Sequence, residues 1–157
     1  MFRTVWAGVL AFLVDRITKQ LAVQWLELDT PKVLWEGVLN LTYTHNTGMA
    51  FSILAGNTWL LIVLSALALV ILVAALYRAL PRTETQSALL WLLLAGGIGN
   101  LADRLIFGYV VDFFSVQFVQ FPVFNVADIC LTVSAVLLIV ALLRNPDEKK
   151  VHEQSAA

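Results

Sequence analysis

The amino-acid sequence predicts an all-α membrane protein, four transmembrane helices joined by short links and by one extracytoplasmic insertion that forms a small sheet. Three observations predict it. Hydrophobic residues make up 60% of the chain and charged residues only 13%, with a mean hydropathy of +0.83, whereas soluble domains are about 45–50% apolar. Four stretches, at about 5–26, 59–77, 88–106 and 126–143, meet the requirement of about 20 predominantly apolar residues per bilayer helix. The connection at about 27–58 is long, and it is patterned rather than featureless.

The first stretch opens like a secretory signal, with Arg3 ahead of an apolar run from Val5 to Val14. Asp15, Arg16 and Lys19 then stand where a small-residue cleavage site would be required, and apolar residues resume from Leu21 to Leu26, so the segment reads as one retained helix. Connections longer than about 12–15 residues are functional or disordered as a rule. In the 27–58 connection Leu39, Leu41, Tyr43 and His45 alternate with Asn40, Thr42 and Thr44, the period of a half-buried strand. Asn46-Thr47-Gly48 supplies turn chemistry before Met49-Ala50-Phe51 becomes apolar again. A small sheet on the outer membrane surface is the expected form. The 78–87 connection is short and polar and only links helices. The last stretch begins at Phe124-Asn125-Val126-Ala127-Asp128, where Asn125 reads as the N-cap and Asp128 as the third helical position.

Residues 1–144 form a single domain in this reading, and 145–157 are a polar, flexible cytoplasmic tail. Arg3, Arg78, Arg82, Arg144, Lys149 and Lys150 all flank the ends that an even number of spans would place in the cytoplasm, against Lys32 alone in the 27–58 connection. Both termini are therefore expected to be cytoplasmic. Trp25, Trp35 and Trp59 suit an outer aromatic belt. A net charge of −1 indicates no nucleic-acid partner. The single cysteine, Cys130, allows no internal disulfide framework and reads as an inert core thiol, while His45 and His152 are too far apart in the topology for a metal site. No cofactor and no metal are expected.

Seven ionisable groups lie inside or beside the spans: Asp15, Arg16, Lys19, Asp103, Arg104, Asp112 and Asp128. Each costs about 2.5–3.5 kcal/mol on insertion scales, so such groups mark paired or functional sites. Counted at about 1.5 Å per residue, Asp15 lies past the middle of the first helix, and Asn100, Asp103 and Arg104 lie in the outer half of the third. Asp112 is expected at the outer end of the third helix and Asp128 at the start of the fourth. Two carboxylates would then share one depth on neighbouring antiparallel helices. Like charges that close cannot both ionise and tend to share a proton. The ionised member can deprotonate a water, and the protonated one can donate a hydrogen bond to the oxyanion that forms as the water attacks a peptide carbonyl. Four aspartates against Arg16, Lys19 and Arg104 leave one excess negative charge, which one shared proton cancels. By its cap position Asp128 is the expected base and Asp112 the expected acid, because the positive end of a helix dipole favours a carboxylate. Asp15 and Lys19, four residues apart, are expected to pair.

Asp15-Arg16-Ile17-Thr18-Lys19, Asn46-Thr47-Gly48-Met49-Ala50-Phe51, Gly96-Gly97-Ile98-Gly99-Asn100-Leu101-Ala102-Asp103-Arg104, Val110-Val111-Asp112-Phe113 and Phe124-Asn125-Val126-Ala127-Asp128 together resemble the ordered motifs of the lipoprotein signal peptidases. The likeness spans residues 15 to 128. It implies four transmembrane helices, an external β-cradle, a catalytic pair at Asp112 and Asp128, and supporting or substrate-binding roles for Asp15, Lys19, Asn46, Gly48, Asn100, Asp103, Arg104 and Asn125. The implied partners are prolipoprotein signal peptides whose lipobox cysteine carries diacylglycerol, together with membrane lipids, for a monomer in the bacterial inner membrane with its site near the outer face.

Other readings of the same residues are weaker. Gly97-x-Gly99-x-x-Ala102 matches a dinucleotide fingerprint, but that motif requires a preceding strand, and here it falls within a membrane helix, where small residues permit close helix packing. A proton or ion transporter would string acids across the membrane and repeat its halves. A non-catalytic assembly protein would have small-residue packing motifs without paired carboxylates. Neither pattern is present.

Overall fold

The computed structural model describes residues 2–48, 57–79 and 83–144. Its elements are α1 (Phe2–Trp25), β1 (Lys32–Trp35), β2 (Leu39–Asn46), α2 (Thr58–Ala79), α3 (Glu84–Phe107), β3 (Val110–Val116) and α4 (Val126–Arg144). Helices α2, α3 and α4 are long and apolar enough to cross a membrane. Helix α1 has 24 residues but interrupts its apolar character with Asp15, Arg16 and Lys19.

Helix α3 is the hub and packs against each of the other three. Its small residues allow this. A Cβ on Gly96 would run into the backbone carbonyl of Ala127, one on Gly97 would meet Leu69, and one on Gly99 would lie 2.8 Å from an Asp15 carboxylate oxygen. Helix α3 begins four residues earlier than its apolar run because Thr83 and Gln86 form a capping box, each side chain bonded to the other's backbone N–H. It ends at Gly108, whose positive φ of 82° is the left-handed cap in which the Gly108 N–H donates to Arg104 O.

The three strands form one antiparallel sheet in the order β1-β2-β3. Strand β2 falls on the alternating segment, but the alternation is broken by a register shift between Leu41 and Thr44. Past that shift Thr44 lies opposite Asp112. The placement of Asp112 on the third helix is thus corrected: Gly108 stops α3, and the β-branched pair Val110-Val111 continues as β3, so Asp112 sits on a strand. Met49-Ala50-Phe51, Arg82, Lys149, Lys150, His152 and the tail lie outside the described residues.

The interior is arranged as a bilayer requires. Trp6, Leu10, Trp59 and Leu143 lie exposed on the outside of the helices, an apolar surface that hydrocarbon would not penalise as water does. One apolar cluster, Leu76, Leu93 and Leu138, joins α2, α3 and α4. A second, Ala22, Tyr43, Val111 and Phe113, fastens the sheet to α1. Asp15, Lys19, Asn100, Asp103, Asp112 and Asn125 are all buried, so the charged residues that the sequence scatters over 98 positions are collected inside, where they must satisfy one another.

Candidate active site

Asn125 organises the site. It is completely buried and stands immediately before α4, where its side-chain oxygen accepts from the Asp128 N–H at 2.9 Å while its own N–H donates to Asp128 Oδ2 at 3.1 Å. This reciprocal cap places Asp128 at the third helical position, as the sequence predicts. The Asn125 amide nitrogen points the other way and donates to Asp112 Oδ1 at 2.6 Å. One residue therefore holds both carboxylates, one from a strand and one from a helix N-terminus.

Each carboxylate has a further donor. Asn46 Nδ2 donates to Asp112 Oδ2 at 2.8 Å, and Asn100 Nδ2 donates to Asp128 Oδ1 at 2.6 Å. The Asn46 oxygen is bound by the Gly48 N–H at 3.0 Å, an Asx turn that fixes the amide's orientation. The Gly48 carbonyl in turn accepts from Arg104 at 3.0 Å. Asn100 takes donations at Oδ1 from Lys19 Nζ at 2.8 Å and from Asn125 at 3.1 Å, so its amide is also held with nitrogen towards Asp128.

Beneath this layer lies a four-charge cluster. Lys19 bridges Asp15 at 3.1 Å and Asp103 at 2.8 Å, and Arg16 spans the same two acids. The expected Asp15–Lys19 pair is present, but it is half of a neutral quartet. Asp15 also accepts the Ala127 N–H at 3.0 Å, so a carboxylate of α1 caps the first turn of α4. Asp103 accepts the Val111 N–H at 3.3 Å, tying α3 to the strand that carries Asp112.

All ten residues singled out in the sequence fall within this one network. Arg16, counted in the sequence among the charges of the spans but given no role of its own, belongs to it as well. Adjacent helical side chains point about 100° apart, and the guanidinium's reach lets Arg16 join Asp103 and the Gly99 carbonyl. His45 lies apart, bonded to the Tyr43 hydroxyl at 2.6 Å and stacked on Tyr109. Cys130 is a partly buried free thiol. Among the described residues no group of His, Cys, Asp or Glu side chains could hold a metal.

Asp128 opens on a cleft of about 500 Å³, lined also by Asn46, Arg104 and the apolar wall Phe121–Phe124, Ile129 and Val133, while Asp112 is held behind it by Asn46 and Asn125. Arg104 Nε is buried without a hydrogen-bond partner. Asp112 is 1% exposed; burial first, and then the charge of Asp128, push its carboxyl up to about 7, against the donations of Asn46 and Asn125.

Comparison with known proteins places nearly the whole chain beside one family. The family model described as Signal peptidase (SPase) II matches residues 7–144. A lipoprotein signal peptidase of Actinobacillus succinogenes is 41% identical over 157 aligned residues, covering 96% of this chain and 94% of that protein. Another, of Lactiplantibacillus plantarum, is 36% identical over 138 residues, with 88% and 92% covered. A solved bacterial membrane enzyme superposes with a TM-score of 0.80 at 28% identity, covering 95% of this chain and 92% of that one. With one profile spanning all four helices and the sheet, and with relatives aligned nearly end to end, this chain belongs to the signal peptidase II family.

Proposed function

We propose that this protein is an aspartic endopeptidase that removes signal peptides from diacylglyceryl-modified prolipoproteins, cleaving just before the lipidated cysteine. The observation that carries the proposal is the joint hold of Asn125 on Asp112 and Asp128 at the edge of the cleft. The names of the relatives support the substrate class. All four helices cross the bacterial inner membrane in this reading. Both termini are cytoplasmic, the sheet lies on the outer face, and the protein acts as a monomer.

Asp128 is the resting base. It sits on the first turn of α4 and accepts from a backbone N–H and from Asn100, both of which favour its charged form. Asp112, raised to about 7, is the resting acid. A water between them gives a proton to Asp128 as its oxygen attacks the scissile carbonyl, whose oxygen takes a hydrogen bond from Asp112. When the tetrahedral intermediate collapses, the C–N bond breaks and Asp128 returns its proton to the leaving nitrogen. Arg104, whose side chain lines the cleft, holds a substrate carbonyl. The apolar wall receives the lipid and the signal-peptide side chains.

The deciding experiment incubates purified protein with a diacylglyceryl-modified precursor and with its unlipidated counterpart, reading the cut by mass spectrometry. Cleavage of the lipidated form alone, before the modified cysteine, is expected. Equal cleavage of both forms, or a cut elsewhere, refutes the specificity.

The pH dependence follows from Asp112. Its acid form is the active one, so kcat/KM is expected to fall as pH rises through about 7. Stability moves in the same direction. The folded protein holds a proton on Asp112 up to about 7, whereas an unfolded aspartate loses it near about 4. Between those values folding takes up a proton, and stability falls with rising pH by at most about 1.4 kcal/mol per pH unit. Thermal unfolding at pH 5 and pH 7 measures this, and Asp112→Asn is expected to flatten the slope; an unchanged slope in that variant would assign it to another group.

Asn46→Ala removes one donor from Asp112 and the acceptor of the Gly48 N–H. With Asp112 protonated this is a hydrogen bond between neutral groups, which contributes about 0.5–1.5 kcal/mol, so turnover is expected to drop about 2- to 10-fold with the cleaved bond unchanged. A wild-type rate would reduce the 46–48 turn to a connector.

A further inference from the structure

A second cavity, of about 430 Å³, lies between the C-terminal turns of α1 and the sheet, on Leu21, Ala22, Trp25, Leu34, Phe113 and Lys32 among others. It shares no lining residue with the cleft beside the carboxylates. Its size falls within the range of about 300–1,000 Å³ typical of small-molecule pockets, and its walls are almost wholly apolar.

Two polar residues line it, Thr18 and Lys32. The Thr18 hydroxyl already bonds the Val14 carbonyl at 2.8 Å, back along its own helix. Lys32 is the one available charge. It is also the single lysine or arginine of the 27–58 connection, exactly where a bias of cations to the cytoplasmic side would leave none. Glu27, Asp29 and Glu36 share that connection, yet among the described residues the ion pairs are those of the buried quartet, and Lys32 is in none of them. Strand pairing sets Lys32 opposite Leu41, which also lines the cavity. Trp25, 75% exposed, stands at the same mouth, and tryptophan favours the headgroup level of a bilayer.

An apolar trough at the outer end of a membrane helix, with one unpaired cation and one indole at its mouth, matches a lipid with a phosphate. We propose that this groove is a binding site for an outer-leaflet phospholipid, one acyl chain lying on Leu21, Ala22, Leu34 and Phe113 and the phosphate against the Lys32 ammonium. A diacylglyceryl group attached to a cysteine has no phosphate, so the occupant is distinct from the substrate's lipid, and the site is independent of the carboxylate chemistry.

The test uses the purified full-length protein, delipidated in detergent and titrated with dioleoylphosphatidylethanolamine, dioleoylphosphatidylglycerol or dioleoylglycerol, which has the same chains without the phosphate. Native mass spectrometry reads the bound lipid. Either phospholipid is expected to occupy one site, with dioleoylglycerol about tenfold weaker. Lys32→Gln is expected to bring phospholipid affinity down to the dioleoylglycerol level and to leave dioleoylglycerol unchanged. Leu34→Glu, at a strand position 61% exposed and so tolerant of a polar side chain, is expected to repel the phosphate by the same factor or more. Equal binding of dioleoylglycerol, undiminished phospholipid binding in Lys32→Gln, or no bound lipid of either kind overturns the proposal. Because cleavage is not the readout, the result is separate from the fate of the peptidase reading.

Discussion

Asp112→Asn and Asp128→Asn are each expected to lower kcat by about 10²–10⁴-fold, the contribution typical of a positioned acid or base, while the purified variants remain folded. Asparagine is nearly isosteric with aspartate but cannot exchange the proton. At position 112 it would also turn an amide nitrogen towards Asn46 Nδ2 or Asn125 Nδ2, both of which donate to the carboxylate. One hydrogen bond is lost there. The loss is offset because a buried carboxylate no longer faces another, so unfolding temperature at neutral pH is expected to stay near wild type. Turnover by each variant, measured beside its thermal unfolding, separates chemistry from folding. A near-normal rate in either refutes the pair as the catalytic groups.

The second large effect is on stability. Asp103→Leu is expected to cost about 3–5 kcal/mol, the range for removing one partner of a buried ion pair. Lys19, 3% exposed, and Arg16 would be left with Asp15 alone, and the Val111 N–H would lose its acceptor. Lys19→Met combined with Asp103→Leu removes one charge of each sign and leaves the Asp15–Arg16 pair at 2.7 Å. The double variant is therefore expected to be less destabilised than the sum of the single ones, by a coupling of about 0.5–3 kcal/mol. Unfolding of the two single variants and the double closes the cycle. Strict additivity would mean that the quartet is four independent charges rather than a unit.

The quartet also explains why the site withstands its own cost. Asp15, Arg16, Lys19 and Asp103 neutralise one another, so among the described residues of the site Arg104 is the cation left over to offset Asp112 and Asp128. One proton on the pair then balances the site. The charge count taken along the chain has the same total, but the grouping into a neutral base and a separate carboxylate pair comes from the folded arrangement.

Much of this protein is legible in its sequence because the controlling physics is local. Apolar runs of bilayer length, the first helix, a strand over Leu39–His45 and the cap of α4 by Asn125 each depend on residues close in the chain. Asp15, Lys19, Asn100, Asp103, Asp112 and Asp128 drew attention for the same reason: a charge or amide in an apolar run is conspicuous without any knowledge of its partners. What only the tertiary structure decided is who those partners are. The strand that carries Asp112 exists because Gly108 ends α3 and β2 lies ready to pair with it, 66 residues back along the chain from Asp112 to Asn46. The register shift that sets Thr44 beside Asp112, the guanidinium of Arg16 spanning two helices, and the α1 carboxylate capping α4 are likewise long-range. Sequence pattern records the cost of placing each polar group in lipid; the contact that repays it forms between segments whose distance is set only by packing.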